Sequence, residues 1–197
     1  MSNSRSPKPV FGILAGGAGR RVGGADKGWL LRGGRPQIEV LIDAIRAVEL
    51  RLSLPPSRLL ISANRNLDDY ARLADAVIPD GDEFDEFPGP LIGVMRLLQA
   101  IQPDERLITL PVDAVPDDAL KQAIASLLEA PTDQVTVIDD PSGMQPLFAS
   151  YLASVQSEAT VAVERGERSV KGWQSGLELG RESISNVLGN ANRIAAA

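Results

Sequence analysis

The chain has 197 residues, of which 44% are hydrophobic, so it is long enough to form one domain with a sizeable core. Its net charge of −6 argues against nucleic acid or an anionic membrane as a partner. It contains neither cysteine nor histidine, which excludes disulfides, thiol or histidine catalysis and metal sites built from those residues. Carboxylates, lysine, arginine and backbone amides remain, and these suffice for phosphoryl or nucleotidyl transfer.

Short apolar runs alternate with helical patterns along the chain. The predicted strands, in chain order, are residues 10–14, 59–61, 76–78, 106–110, 135–138 and 146–151. The predicted helices are residues 37–50, 67–73, 91–101, a segment capped by Asp117 that runs to about 128, and 155–164. Because strands and helices alternate, we expect an α/β fold of three layers, with a mostly parallel sheet between two layers of helices.

The organisation of the chain predicts a single domain over residues 10–193, with a flexible tail at 1–9 and a frayed end at 194–197. The polar start of the sequence lacks the apolar segment of a signal peptide, and no apolar run approaches the length of a membrane span. We therefore expect a cytoplasmic protein without a membrane partner.

The most informative segment is the glycine-rich stretch from Leu14 to Lys27, which follows the first predicted strand. Glycines at the end of a buried strand let backbone N–H groups approach an anion closely. Arg20, Arg21 and Lys27 add positive charge to the same segment. This combination indicates a triphosphate site, with an ordinary surface turn as the alternative for the glycines alone.

Two common phosphate-binding loops are excluded by the spacing of this segment. A Walker A loop requires Ser or Thr after its lysine, whereas Lys27 precedes Gly28. A dinucleotide fingerprint fails because Gly23 comes one residue too late after Gly17 and Gly19.

Polar segments also follow the next three predicted strands, at residues 62–65, 79–81 and 111–113. Since ligands of such sheets bind outside the carboxyl ends of the strands, we expect these segments to converge on one edge. Asp113 is then a candidate for holding Mg²⁺, or a turn or helix-capping aspartate. Asp80 is a candidate for binding a base or sugar, or a turn residue beside Gly81.

The glycine-rich stretch resembles the signature of the molybdenum cofactor guanylyltransferases, the MobA-type nucleotidyltransferases. The resemblance lies in Leu14-Ala-Gly-Gly, in the Arg20–Arg21 pair and in Gly23-Gly-Ala-Asp-Lys-Gly28. Further segments follow in the family's order, at residues 61–65, 78–80, 89–93, 111–113, 145–148, 166–173 and 189–192. The chain departs from the family at Ser62, where an Asn is common, and after Asn192, where the family continues with Thr and a proline-led helix.

The resemblance implies a Rossmann-like fold of the nucleotide-diphospho-sugar transferase type. It implies transfer of GMP from Mg·GTP to molybdopterin bearing molybdenum, with release of pyrophosphate. Transient contact with molybdenum-insertion proteins or molybdoenzymes would follow from that activity.

The same resemblance assigns roles to individual residues. Lys27, Arg21 and Asp113 would be catalytic, with Asp113 binding Mg²⁺. The implied GTP contacts are Leu14, Ala15, Gly16, Gly17, Lys27, Ser62, Asp80 and Asp113. The second substrate would meet Gln145, Pro146, Asn190 and Asn192.

Two alternatives to guanylyl transfer remain open from the sequence. One is a related nucleotidyltransferase, either a molybdopterin cytidylyltransferase or a nucleotide-sugar pyrophosphorylase, which would use the same loop chemistry. The other is a non-catalytic GTP-binding or cofactor-binding protein of the same fold. The nucleotide that binds, and whether pyrophosphate is released, discriminate between these functions.

Overall fold

The computed structural model of the protein describes residues 6–16, 26–81, 89–131 and 133–190. Its strands are β1 (Lys8–Leu14), β2 (Leu31–Arg32), β3 (Arg35–Pro36), β4 (Arg58–Ser62), β5 (Ala76–Ile78), β6 (Glu105–Pro111), β7 (Val135–Asp140), β8 (Gly143–Leu152) and β9 (Gly180–Ser183). Its α-helices are α1 (Gln37–Arg51), α2 (Leu67–Tyr70), α3 (Pro90–Gln99), α4 (Asp118–Glu129), α5 (Gln156–Glu164) and α6 (Val170–Gln174). Short 3₁₀ turns cover Lys27–Trp29 and Ala153–Val155.

Strand β1 lies inside a seven-stranded sheet whose order is β5-β4-β1-β6-β8-β7-β9. Only β8 is antiparallel to its neighbours β6 and β7, and the other pairs are parallel. Apolar residues of α1 and α4 pack on one face of the sheet, and those of α3, α5 and α6 pack on the other. The predicted three-layer, mostly parallel α/β fold is confirmed.

The central strand shows why its sequence is a continuous apolar run. Phe11 and Ile13 enter the core beside α1, whereas Val10 enters the core beside α3. A Cβ atom at Gly12 would lie 2.8 Å from Leu107 and 2.9 Å from a methyl group of Leu97, so glycine lets α3 pack closely against the sheet. A strand covered on both faces has no polar face to alternate with its apolar one.

Several elements differ from the prediction, each for a local reason. Strand β1 begins at Lys8, two residues before the predicted start of the domain, because Lys8 and Pro9 continue the pairing with β6. The β2–β3 hairpin, α6 and β9 were not predicted. Strand β9 was missed because it is a polar strand at the edge of the sheet, and α6 was missed because it is short and contains Gly172. The predicted cap of α4 is confirmed, since Asp117 accepts a hydrogen bond from the Leu120 amide.

The helices of the described ranges include none that combines the length and apolar character of a membrane span. The division into a tail, one domain and a frayed end stays a prediction.

Candidate active site

The carboxyl ends of four parallel strands lie level with one another. Leu14 of β1 is paired with Ser62 of β4 on one side and with Pro111 of β6 on the other. Ser62 is in turn paired with Ile78 of β5. The amide of Ala15 continues this alignment by donating to the Ser62 carbonyl at 2.9 Å. The predicted convergence of the polar segments on one edge is therefore confirmed.

Lys27 and Asp113 form an ion pair at this edge. The Lys27 Nζ lies 3.1 Å from Oδ2 of Asp113. The Asp113 side chain is only 7% exposed, whereas that of Lys27 is 34% exposed. Because a buried carboxylate requires compensation, Lys27 balances the charge of Asp113. Either group is able to exchange partners, the ammonium for a phosphate and the carboxylate for a cation.

The Asp113 carboxylate at this edge is suited to a divalent cation that binds together with a phosphate group. Within the described ranges, no group of three or more acidic side chains is placed to hold a metal ion. Mg²⁺ commonly binds one or two carboxylates and completes its coordination with phosphate oxygens and water. The hard carboxylate of Asp113 matches that pattern.

Asp80, in the segment after β5, is held by Asn64. The Asn64 Nδ2 donates to Oδ2 of Asp80 at 2.7 Å, and the Asp80 amide donates to the Asn64 Oδ1 at 2.9 Å. Arg96 of α3 fixes the backbone by donating from Nε to the Asp80 carbonyl at 2.8 Å. Asp80 is thus a preoriented side chain.

The second carboxylate oxygen of Asp80 has no such partner. Asp80 is 7% exposed, and its buried Oδ1 accepts no hydrogen bond from any residue that the structure describes. Burial raises the pKa of Asp80, and the Asn64 amide, the nearby Ser62 hydroxyl and the charge of Arg96 offset only part of that effect. A buried polar atom without a partner is costly, so Oδ1 is suited to accept a hydrogen bond from a ligand.

Two glycines shape the space around Asp80. A Cβ atom at Gly93 of α3 would lie 2.7 Å from the Ser62 Oγ and 3.6 Å from Oδ1 of Asp80. A Cβ atom at Gly16 would lie 3.8 Å from both the Asn64 Nδ2 and Oδ2 of Asp80. Ser62 itself is only 2% exposed, so its hydroxyl is covered by α3. Glycine at position 93 lets the backbone of α3 lie close to Ser62 and Asp80, whereas a Cβ atom at position 16 would make only ordinary van der Waals contact.

The turn between β7 and β8 is organised by Asp140, which the sequence analysis missed. Its Oδ1 accepts from the Ser142 amide at 2.8 Å and from the Gln145 Nε2 at 3.0 Å, and its Oδ2 accepts from the Leu188 amide at 2.8 Å. Burial opposes ionisation, but these hydrogen bonds outweigh it and lower the pKa of Asp140. Gln145 therefore has a structural role at this edge.

Pro146 and Asn190, two other predicted second-substrate residues, make backbone contacts with different parts of the chain. The Pro146 carbonyl accepts from the Gln174 Nε2 at 3.0 Å, which ties this part of β8 to α6. Asn190 forms a backbone bridge with Ala114, so the chain returns to the segment that carries Asp113. Gly17, Arg20, Arg21 and Asn192 lie outside the described residues, and their roles stay predictions.

Asn64 and Arg96 gave different signals in the sequence. Asn64 lies in the predicted polar segment 62–65, but nothing in the sequence indicates its pairing with Asp80. Arg96 gave no signal, because it lies within an amphipathic helix whose other features indicate only packing.

Comparisons with known proteins find a family model and relatives that cover most of the chain. A model of the MobA-like NTP transferase domain matches residues 12–177 of the chain. A molybdenum cofactor guanylyltransferase of Ectopseudomonas mendocina is 34% identical over 165 residues, covering 84% of this chain and 76% of the relative.

Solved structures share the fold at low sequence identity. Molybdopterin-guanine dinucleotide biosynthesis protein A of Archaeoglobus fulgidus has a TM-score of 0.64 and 18% identity, over 89% of this chain and 83% of that protein. A Mycobacterium tuberculosis protein in complex with manganese has a TM-score of 0.63 and 13% identity, over 91% of this chain and 90% of that protein. These neighbours confirm the predicted nucleotidyltransferase type of fold.

Asp80→Asn is expected to make the protein more stable at neutral pH, because it removes a buried charge whose Oδ1 lacks a partner among the described residues. A raised pKa in the folded state means that folding favours the protonated carboxyl. The stability of the wild-type protein therefore falls as the pH rises from the ordinary carboxyl pKa through the raised one. Urea unfolding at several pH values between roughly 4 and 8 measures this difference.

The exposed Asp104 provides the control, because the Lys8 ammonium lowers its pKa. Asp104→Asn should bring no gain in stability as the pH rises. An Asp80→Asn protein that is less stable than wild type at neutral pH would contradict this account of Asp80.

Proposed function

The chain belongs to the family of MobA-like NTP transferases, and we propose that it transfers GMP from GTP to the terminal phosphate of molybdopterin that carries molybdenum. Pyrophosphate leaves, and molybdopterin guanine dinucleotide forms. The observation that supports this most is the pairing of Lys27 with Asp113, at the level strand ends that also present Asp80. We propose further that the protein acts in the cytoplasm.

Lys27 and Asp113 are assigned to the phosphate side of the site. The ammonium of Lys27 would leave Asp113 and neutralise charge on the triphosphate as pyrophosphate departs. Asp113 would hold Mg²⁺, which would supply positive charge at the phosphates. A buried cluster of acidic residues would not be needed, because phosphate oxygens and water complete the coordination of Mg²⁺. The ion pair supports this assignment, because it keeps both groups at one place before the substrate arrives.

Asp80 is assigned to the guanosine side of the site. Its Oδ1, which has no hydrogen-bond partner among the described residues, is an acceptor, and the edge of guanine carries adjacent N–H donors on N1 and N2. Asn64 holds Oδ2, so the carboxylate does not need to reorient when the ligand binds. Gly93 lets the backbone of α3 pack against the Ser62 side chain, next to Oδ1 of Asp80.

The proposed reaction needs no histidine, and the chain has none. The acceptor phosphate is already an anion, so its oxygen attacks the α-phosphorus of GTP without a general base. A new O–P bond forms as the bond between the α-phosphorus and the pyrophosphate oxygen breaks. Catalysis then depends on positioning and on neutralisation of charge, which are the main contributions of proteins to such transfers.

A pyrophosphate-release assay tests this function directly. The protein is incubated with Mg²⁺ and GTP, CTP, ATP or UTP, each with and without molybdenum-loaded molybdopterin. We expect release with GTP alone among the nucleotides, and only when the pterin acceptor is present. Preference for CTP would favour a cytidylyltransferase, and binding of GTP without release would favour a non-catalytic protein.

Lys27→Ala and Asp113→Asn are each expected to lower kcat by ~10²–10³, the usual loss when one preorganised charged group is removed. Circular dichroism should show a retained fold, because both side chains lie at the edge of the sheet. Steady-state pyrophosphate release measures the loss.

Lys121→Ala is the matched control for Lys27→Ala. It removes another lysine that pairs with an aspartate, since Lys121 Nζ lies 3.1 Å from Asp118 on the surface of α4. Its turnover should equal that of wild type. Turnover within about threefold of wild type for Lys27→Ala or Asp113→Asn would rule out the proposed role of that residue.

A further inference from the structure

Asp26, the residue before Lys27, joins the 3₁₀ turn Lys27–Trp29 to α2 through hydrogen bonds. Oδ1 of Asp26 accepts from the Gly28 amide at 3.1 Å and from the Tyr70 hydroxyl at 2.6 Å. Oδ2 of the same carboxylate accepts from the Asn66 Nδ2 at 2.9 Å. Both oxygens of Asp26 are thus bound, and through them the turn that begins at Lys27 is joined to Asn66 before α2 and to Tyr70 at its end.

The 3₁₀ turn Lys27–Trp29 packs closely against α2. Tyr70 is fully buried, and its ring lies against Trp29 with the ring centroids 5.3 Å apart. A Cβ atom at Gly28 would overlap the Tyr70 hydroxyl, so glycine at this position lets the phenol reach Asp26. Asn66 has a φ of 52°, in the left-handed region that asparagine tolerates better than most residues.

Tyr70 is a dependable hydrogen-bond donor. Burial and the neighbouring Asp26 carboxylate both raise the pKa of its phenol far above the ordinary value. The hydroxyl therefore stays protonated over the whole range in which an enzyme of this type works.

We propose that Tyr70 and Asn66 are positioning residues, which act through Asp26 to hold the backbone of Lys27 so that its ammonium lies beside Asp113 and the triphosphate. The inference rests on the proposed function in taking Lys27 as the phosphate ligand. Holding an ammonium in place costs the entropy of both the backbone and the side chain, so a backbone that is already fixed leaves only the side-chain part to be lost. The three hydrogen bonds on Asp26 supply that fixed backbone.

Tyr70 also belongs to the hydrophobic core beside α1, so its ring and its hydroxyl must be tested separately. Tyr70→Phe removes the hydroxyl and keeps the ring against Trp29. Tyr151→Phe is the matched control, because Tyr151 is a fully buried tyrosine in the opposite core, and its hydroxyl accepts from the Gln174 Nε2 at 2.8 Å. Both variants lose one buried hydroxyl.

The first measurement is the affinity for Mg·GTP by calorimetry, with Tyr70→Phe made in wild type and in Lys27→Ala. We expect Tyr70→Phe to weaken binding about tenfold when Lys27 is present, which corresponds to one hydrogen bond to a charged group. In the Lys27→Ala protein the same substitution should weaken binding less than about twofold, because coupled residues do not add. Tyr151→Phe should leave the affinity unchanged.

The second measurement does not require nucleotide. Limited acetylation of the free protein, followed by mass spectrometry, gives the relative reactivity of Lys27 and of the exposed Lys121. If Tyr70 holds Lys27 at Asp113, Tyr70→Phe raises the reactivity of Lys27 several-fold, while Lys121 is unaffected. Tyr151→Phe should change neither lysine.

The outcomes separate this inference from the proposed function. Equal losses of affinity in both backgrounds, or unchanged reactivity of Lys27, would overturn the positioning role. A wild-type protein that does not bind GTP would contradict the proposed function, and the acetylation experiment then decides the positioning role by itself.

Discussion

The site depends on the register of the parallel strands around β1. Leu14 is paired with both Ser62 and Pro111, and Ser62 is paired with Ile78, so neighbouring strands end at one level. The segments that follow these strands therefore leave the sheet at the same edge. A shift of one residue in any of these strands would turn its buried side chains to the opposite face. The two hydrophobic cores thus fix the register, and the register brings Asp80 and Asp113 to one edge.

The two carboxylates are held in different ways, which suits them to different ligands. Asp113 is paired with an ammonium that is able to move to a phosphate and leave the carboxylate to a cation. Asp80 is held through one oxygen by the uncharged amide of Asn64, and its other oxygen has no partner among the described residues. An unpartnered buried acceptor costs stability in the free protein and favours a ligand that donates a hydrogen bond. The net charge of −6 of the whole chain therefore does not indicate which ligands suit these two carboxylates.

Much of this arrangement was predictable from the sequence, because apolar runs locate the strands and the topology of a parallel sheet locates their ends. That reasoning placed Asp80, Asp113 and Lys27 at one edge. It did not find the pairing of Asp26 with Tyr70, which are 44 residues apart and show no common motif. Nor did it find Asp140, whose role depends on an amide from Leu188, 48 residues later in the chain.

The short elements near the end of the chain were also missed, for a physical reason. Strand β9 has a polar sequence and pairs on one side only with β7, so no apolar period identifies it. Gln145 has a structural role that its sequence context does not indicate. Its resemblance to a family motif indicated a substrate contact, whereas the structure gives its amide hydrogen bonds to Asp140 and Ser142. The contact with substrate stays a prediction.

We propose that the level strand ends hold one nucleotide, with its metal at Asp113, its phosphates at Lys27 and its base at Asp80. A crystal structure with GTP and Mn²⁺ tests it most directly, because the anomalous signal of manganese locates the metal independently of the nucleotide. We expect manganese bound to the Asp113 carboxylate and to phosphate oxygens, with guanine donating to Oδ1 of Asp80. Manganese bound away from Asp113, or guanine away from Asp80, would contradict the account.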